Sequence, residues 1–298
     1  MARWSASRPN LRYVSFSRWR EKVGMRVARQ TKLQLLLALT LIPAAHAQCK
    51  LALDVGHTLS QPGATSARGV PEFQFNQRLA QSIAAATAQA GIPTITIGAT
   101  GTPLQLTERT RLAQAAGATL FLSIHHDSVQ ARYLSTWTVD GRERPYSDQF
   151  SGFSLFVSAA NPEFPASVAF ATAIGSSLRA AGLTPSLHHA EPIPGESRPL
   201  LDANLGLYRF DGLAVLRTAA MPAVLFEAAI ILNRRDEERA RSPEFLQRVS
   251  AAVVRAVSAA CTTTGKPTTG KARANVAPSP AAARPGRPPP PTPNPAAP

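Results

Sequence analysis

Cysteine is nearly absent from this chain: Cys49 and Cys261 are the only two among 298 residues. Two thiolates cannot by themselves build a structural cysteine zinc site, so that class of fold-stapling metal is excluded. Long apolar runs are missing too. The candidate at residues 33–42 (LQLLLALTLI) is about ten residues long, well short of the roughly twenty that cross a bilayer as a helix. Acid is scarce, with 18 Asp and Glu against 32 Lys and Arg and a net charge of +14. At face value that excess invites an anionic partner. Its distribution removes the invitation. Residues 1–47 hold nine basic residues and one Glu, residues 262–298 hold five and no acid, and the stretch between carries only +1. A near-neutral middle excludes nucleic-acid binding of the kind that rests on neutralising phosphates.

The basic ends read as an address and a tail. Arg26, Arg29 and Lys32 precede the apolar run, and Ala45-His46-Ala47 follows it as an A-x-A cleavage pattern that leaves Gln48 as the mature terminus. Residues 1–47 are therefore expected to be a signal peptide, and the protein to be exported, periplasmic or wall-associated in a bacterium. Met25 opens a compact segment with all three signal regions and is a candidate true start; a long leader or a signal anchor is the alternative. His46-Ala47-Gln48 before Cys49 is a poor lipidation site. No membrane segment is expected after cleavage. From Thr262 onward the composition collapses to Pro, Ala, Thr, Gly and scattered base, a tail with almost nothing to bury. Cys49 and Cys261 bracket the domain between. Domain termini often lie close together, and an oxidising compartment would let the pair form one disulfide; two free thiols are the alternative.

Residues 48–261 alternate strand and helix signals. Strands are expected at 50–55, 93–97, 119–124, 153–158 and 223–226, and helices at 71–90 (stopped by Gly91), 106–116, 166–181 (stopped by Gly182) and 243–260. The segment 129–149 is looser, and a proline-punctuated loop occupies 185–199. The pattern implies an α/β fold in a single domain, a largely parallel twisted sheet with helices on both faces.

In such sheets ligands bind beyond the carboxyl ends of the strands. His57 lies just past the first strand, His125 at the end of the third, and Glu227 at the end of the strand beginning at Ala223. Glu72 joins them from the first turn of the helix after His57. Two imidazoles and a carboxylate form the ligand set of many catalytic zinc sites, where the metal activates water and polarises the carbonyl under attack. Glu227 is then the free carboxylate that moves the proton. Each residue alone has a duller reading: a turn histidine, a helix-terminal acid, a Glu paired with Arg217. Alternation places His126 on the opposite sheet face from His125, so one of the two should bind metal, and strand direction does not choose which. Asp127, on the His125 face, is a candidate to orient a ligand.

Taken in order, Leu53-Asp54-Val55-Gly56-His57, Pro62-Gly63-Ala64, Gly69, Glu72, Asn76, Arg109, Ser123-Ile124-His125-His126-Asp127 and Pro222-Ala223-Val224-Leu225-Phe226-Glu227 resemble the zinc-dependent N-acetylmuramoyl-L-alanine amidases of bacterial cell walls. The resemblance covers nearly all of residues 50–258. It implies a sheet like that of zinc exopeptidases and phosphorylase/hydrolase-type proteins, one zinc ion, and a peptidoglycan substrate cut between the lactyl group of N-acetylmuramic acid and L-alanine. It implies His57, Glu72 and His125, rather than His126, as ligands and Glu227 as the catalytic carboxylate. Asn76 and Arg109 fall at matching positions, as support for ligands or substrate. Ala228-Ala229-Ile230-Ile231-Leu232-Asn233 departs from the family, which follows its Glu with a small residue, Gly, an aromatic and, two places on, Asn. Some relatives block their zinc with an inserted helical segment until an activator binds; no equivalent is evident between Asp127 and Phe153, although Glu191 and Glu196 lie in a loop (187–204) that could approach the site. A zinc carboxypeptidase using Arg109 or Arg144 and a non-catalytic wall-binding protein are the rival functions.

Overall fold

The run LALDV forms strand β1 (Leu51–Val55), every residue of which is buried. A strand apolar on both sides is what a sheet covered on both faces demands. The computed structural model describes residues 49–264. The apolar run at 33–42, the Met25 start, the cleavage pattern ending at Ala47 and the tail beyond residue 264 lie outside the described residues.

After β1 come α1 (Glu72–Gln89), β2 (Thr94–Ile97), α2 (Leu106–Ala115), β3 (Leu120–Asp127), β4 (Ser135–Val139), β5 (Arg142–Tyr146), β6 (Ser154–Val157) and α3 (Phe164–Ala180). β7 (Leu200–Asp202), β8 (Leu207–Arg209), α4 (Ala214–Arg217), β9 (Ala223–Ile230), α5 (Arg234–Arg241) and α6 (Pro243–Thr264) complete the described chain. Seven strands form one sheet in the order β2-β1-β3-β9-β6-β8-β7. β2, β1, β3 and β9 run parallel, β6 is antiparallel to β9, and β8 is parallel to β6. This is the largely parallel α/β sheet that the alternating pattern implied.

The two faces are covered unequally. Leu51, Leu53, Val55, Leu122, Ile124, Val224 and Phe226 point into a large core shared with the long helices α1, α3 and α6. Ala52, Phe121, Ala223 and Leu225 point the other way, into a smaller cluster closed by α2 and the four-residue α4. A thin cover over the ends of β3 and β9 leaves room for a crevice there.

Cys49 and Cys261 are joined by a disulfide, their Cα atoms 5.4 Å apart. It stitches Cys49, two residues ahead of β1, to α6, which packs on both α1 and α3. α6 continues to Thr264, past the expected end at 260. Gly91, with φ of 68°, terminates α1 as expected, because a left-handed residue just beyond the last turn costs glycine little.

Several elements exceed the sequence reading. The looser segment holds a β-hairpin, β4 paired antiparallel with β5, turned by Asp140 and Gly141, both at positive φ (50° and 70°). That is the geometry two-residue hairpin loops favour. β3 reaches Asp127 and β9 reaches Ile230, so His125 and Glu227 sit within their strands rather than at the ends. Extension is possible because Ala228, Ala229 and Ile230 are all fully buried; this is the stretch whose sequence departs from the family. Asn233 keeps a role there, its side chain accepting the backbone N–H groups of Arg235 and Asp236 to cap α5.

Candidate active site

Glu72 is the hub. It stands at the start of α1, buried, and each carboxylate oxygen meets one imidazole: Oε2 lies 2.9 Å from His57 Nε2 and Oε1 lies 3.0 Å from His125 Nδ1. Donor atoms from His57, Glu72 and His125 all fall within 4.8 Å of one another. Burial alone would raise the Glu72 carboxyl, but hydrogen bonds from His125 and then His57, reinforced by their charge, hold it well below the ordinary carboxylate range.

The backbone around this trio is shaped to it. His57 adopts φ of 69°, a left-handed conformation rare outside glycine, and its carbonyl accepts from Arg109 Nη2 at 2.7 Å. Gly56 passes beneath the His125 ring so closely that a Cβ there would lie 2.2 Å from Nε2. At Gly63 an added Cβ would come within 2.3 Å of Glu72 Oε2, and the next N–H, of Ala64, donates to that oxygen at 3.1 Å. Any bulkier residue at either position would displace a ligand candidate. Two imidazoles and a carboxylate converging in a cradle kept clear by two glycines fit a catalytic zinc ion by donor type and number.

Asn76 lies one turn beyond Glu72. Its amide donates to Glu72 Oε1 at 3.0 Å while its Oδ1 faces His126 Nδ1 at 2.8 Å. His126 is thus turned to the opposite sheet face, as alternation requires, and packs near the ring of Phe75. Burial pushes its pKa down to about 4, so it is neutral. Arg109, held open above as a substrate-reading residue, is 2% exposed. Its guanidinium pairs with Asp54 Oδ1 at 2.7 Å and also donates to the carbonyls of Val55 and His57. Ser123 Oγ donates to the other Asp54 oxygen at 2.7 Å. Arg109 therefore supports the end of β1 and the His57 turn from behind.

Glu227 on β9 is the register partner of His125 on β3, on the same sheet face. Its Oε2 is shut off from solvent without a hydrogen-bond partner among the described residues. Burial, and then the charges of Asp127 and Glu72, raise its pKa well above the usual carboxylate value. Arg217, the candidate partner that would have made Glu227 structural, instead donates to the carbonyl of Gly212. Two cavities meet beside these residues, sharing Leu213 and Leu225. One, of about 280 Å³, is lined by Glu227, Asp127, His189 and Glu196. The other, of about 560 Å³, is lined by His57, His125 and Leu106.

Asp127 turns away from the ligand trio. Its Oδ2 lies 2.7 Å from His189 Nε2, and His189 Nδ1 lies 2.9 Å from Glu196 Oε2. Burial works against the His189 proton, but the two carboxylates outweigh it and raise the pKa to about 9. The loop after α3 thus reaches the crevice through Glu196, while Glu191 is taken up by Tyr133 (2.8 Å). Sequence reasoning missed His188 and His189; their only signal was adjacency in a proline-punctuated loop. Between Asp127 and Phe153 the described residues form the β4–β5 hairpin and a short 3-10 turn at Ala131–Tyr133, and none forms a longer helix over the site.

The family model for N-acetylmuramoyl-L-alanine amidase matches residues 51–259 of the chain. No curated protein sequence matches it. Among solved structures, the fold is similar to that of Ami1, the N-acetylmuramyl-L-alanine amidase of Mycobacterium smegmatis, at 22% identity and a TM-score of 0.56, over 72% of this chain and 97% of that one. The catalytic domain of CwlV from Bacillus (Paenibacillus) polymyxa var. colistinus is similar at 22% identity and a TM-score of 0.54, covering 71% and 97%. The CwlD amidase of Clostridioides difficile, solved in complex with the GerS lipoprotein, is similar at 14% identity and a TM-score of 0.54, covering 72% and 99%.

Proposed function

Because the chain belongs to the N-acetylmuramoyl-L-alanine amidase family, and so hydrolyses the amide bond between N-acetylmuramic acid and L-alanine in peptidoglycan, we propose that it works with one zinc ion held by His57, Glu72 and His125 and with Glu227 as general acid/base. The observation that carries this reading is the convergence of three ligand-type side chains beside a carboxylate whose buried Oε2 has no hydrogen-bond partner among the described residues. Zinc bound there would make water a nucleophile near neutral pH and polarise the scissile carbonyl.

Glu227 supplies the proton chemistry. Buried beside the ligand trio, its carboxylate would take a proton from the attacking water and hold it until the amide nitrogen leaves. Glu72 and Asn76 keep the His125 ring in place, and Arg109 fixes the His57 turn. With its guanidinium committed to Asp54, Arg109 is not free to read a terminal carboxylate, which disfavours the carboxypeptidase alternative. The two cavities that share Leu213 and Leu225 would give the substrate room beside these residues.

The signal peptide at 1–47, the catalytic domain at 48–261 and the tail from 262 belong to the same proposal, as does action in the periplasm or wall; the Cys49–Cys261 disulfide supports an oxidising destination. Incubating the purified chain with peptidoglycan and analysing the products by mass spectrometry tests the function. Stem peptides with free L-alanine amino termini should be released, a chelator should stop the release, and zinc should restore it. New reducing sugar ends, or trimming only at peptide carboxyl termini, would refute the amidase reading.

A further inference from the structure

We propose that Asp127, His188 and His189 form a second divalent-cation site, which fastens the 185–199 loop to the end of β3 beside Glu227. The ion would be a borderline transition cation such as zinc, the class that imidazole with carboxylate favours. One donor atom from each residue lies within 4.8 Å of the others.

Both imidazoles are held in the manner of metal ligands. His188 Nδ1 is 2.9 Å from Ser186 Oγ, and His189 Nδ1 is 2.9 Å from Glu196 Oε2. With each Nδ1 engaged by an oxygen, the Nε2 atoms are the ones that converge, and both face the same oxygen: Asp127 Oδ2 lies 2.7 Å from His189 Nε2 and 3.4 Å from His188 Nε2. A hydrogen-bonding oxygen behind each ligating imidazole fixes its orientation and tautomer, a recurrent feature of protein metal sites.

The second observation is an unmet need. His188 is 3% exposed and its Nε2 is buried without a hydrogen-bond partner among the described residues. Leaving such an atom unsatisfied in the interior is costly. The Asp127 oxygen that meets His189 at 2.7 Å stands 3.4 Å from His188 Nε2 and does not make a hydrogen bond with it. A cation among the three donors satisfies all of them together. Asp127 and His189 also line the smaller cavity, which gives an ion a route in from solvent. The backbone supports the convergence, since the two histidines are consecutive in a 3-10 turn, His188–Ala190, and their rings lie 3.8 Å apart between centroids.

Metal stoichiometry of the full chain, stripped with chelator and re-equilibrated with zinc, tests the site independently of hydrolysis. The wild type should take up two equivalents. His125→Ala should retain one, and so should His189→Gln; the combination should bind none. His188→Gln should match His189→Gln, and if burial makes it fold poorly the other variants still decide the matter. Cobalt in place of zinc should give visible absorption bands in His125→Ala that vanish when His189→Gln is added. Folded His125→Ala without bound metal would overturn the second site. A single equivalent that survives His125→Ala but is lost in His189→Gln would instead refute the ligand assignment at His57, Glu72 and His125.

Discussion

His125 and Glu227 are register partners across the β3–β9 pair, so a ligand candidate and the proposed acid/base stand on neighbouring strands with their side chains on one sheet face. Their separation is set by the spacing of paired strands rather than by a loop, and it should survive substitution of either residue. Glu227→Gln is accordingly expected to bind zinc at His57, Glu72 and His125 as the wild type does while hydrolysis falls by roughly a hundred- to ten-thousand-fold. His125→Ala should lose both. Zinc content measured alongside peptide release separates the cases, and a Glu227→Gln protein that had lost the equivalent held at His57, Glu72 and His125 would show that Glu227 is itself a ligand.

The Asp54–Arg109 pair lies in the interior, with side chains 1% and 2% exposed. Removing one partner of a buried pair strands the other charge at a cost of about 3–5 kcal/mol. Arg109→Met should therefore lower the melting temperature by on the order of 10 °C and weaken metal binding, because the His57 carbonyl loses its donor. Adding Asp54→Asn should recover part of the stability. If Arg109→Met melted like the wild type, the supporting role assigned to Arg109 would be wrong.

His126 gives the metal-stripped protein an acid-sensitive element. Its folded pKa of about 4 lies below the ordinary 6.5, so the unfolded chain binds the extra proton more readily. Its contribution is complete above about pH 6.5 and is lost as pH falls through about 4, to a total of about 3 kcal/mol. Denaturant unfolding followed between those limits should show a shallower loss in His126→Gln than in the wild type. Equal slopes would mean that some other group carries the transition.

Replacing both Cys49 and Cys261 by serine should lower stability by about 2–4 kcal/mol, chiefly by freeing the unfolded chain, without changing zinc stoichiometry. Denaturant midpoints of the oxidised wild type and the double variant give the comparison. A change in metal content would show that the link also shapes the site.

What could be read before the structure was what repeats or aligns along the chain. β1 and β3 announce themselves as unbroken apolar runs, α1 as an amphipathic stretch between Pro71 and Gly91, and His57, His125 and Glu227 as polar residues at the expected strand ends, with Glu72 in the first turn of α1. β7 and β8 are only three residues each, too short to show a period. α5 is RRDEERAR, polar but for Ala240; it is held by the Asn233 cap, by burial of Ala240, and by Glu237, which accepts from Ser66 and Arg68. Such a helix has no hydrophobic stripe to find. The β4–β5 turn was signalled by Asp140-Gly141 but flanked by RERPY, which does not alternate cleanly. His188 and His189 matter through where their loop comes to rest, and that depends on contacts from β3, Ser186 and Glu196 that are distant in sequence or invisible as a pattern.

The bond between Cys49 and Cys261 closes 213 residues into a covalent ring. A protease that cuts once within that ring, for example in the exposed loop near Pro194, releases nothing: both pieces stay tethered, with the sheet and its crevice still assembled around the cut. Such a nicked molecule would run as one band on a non-reducing gel and as two after reduction, and it would keep its activity until the disulfide was reduced.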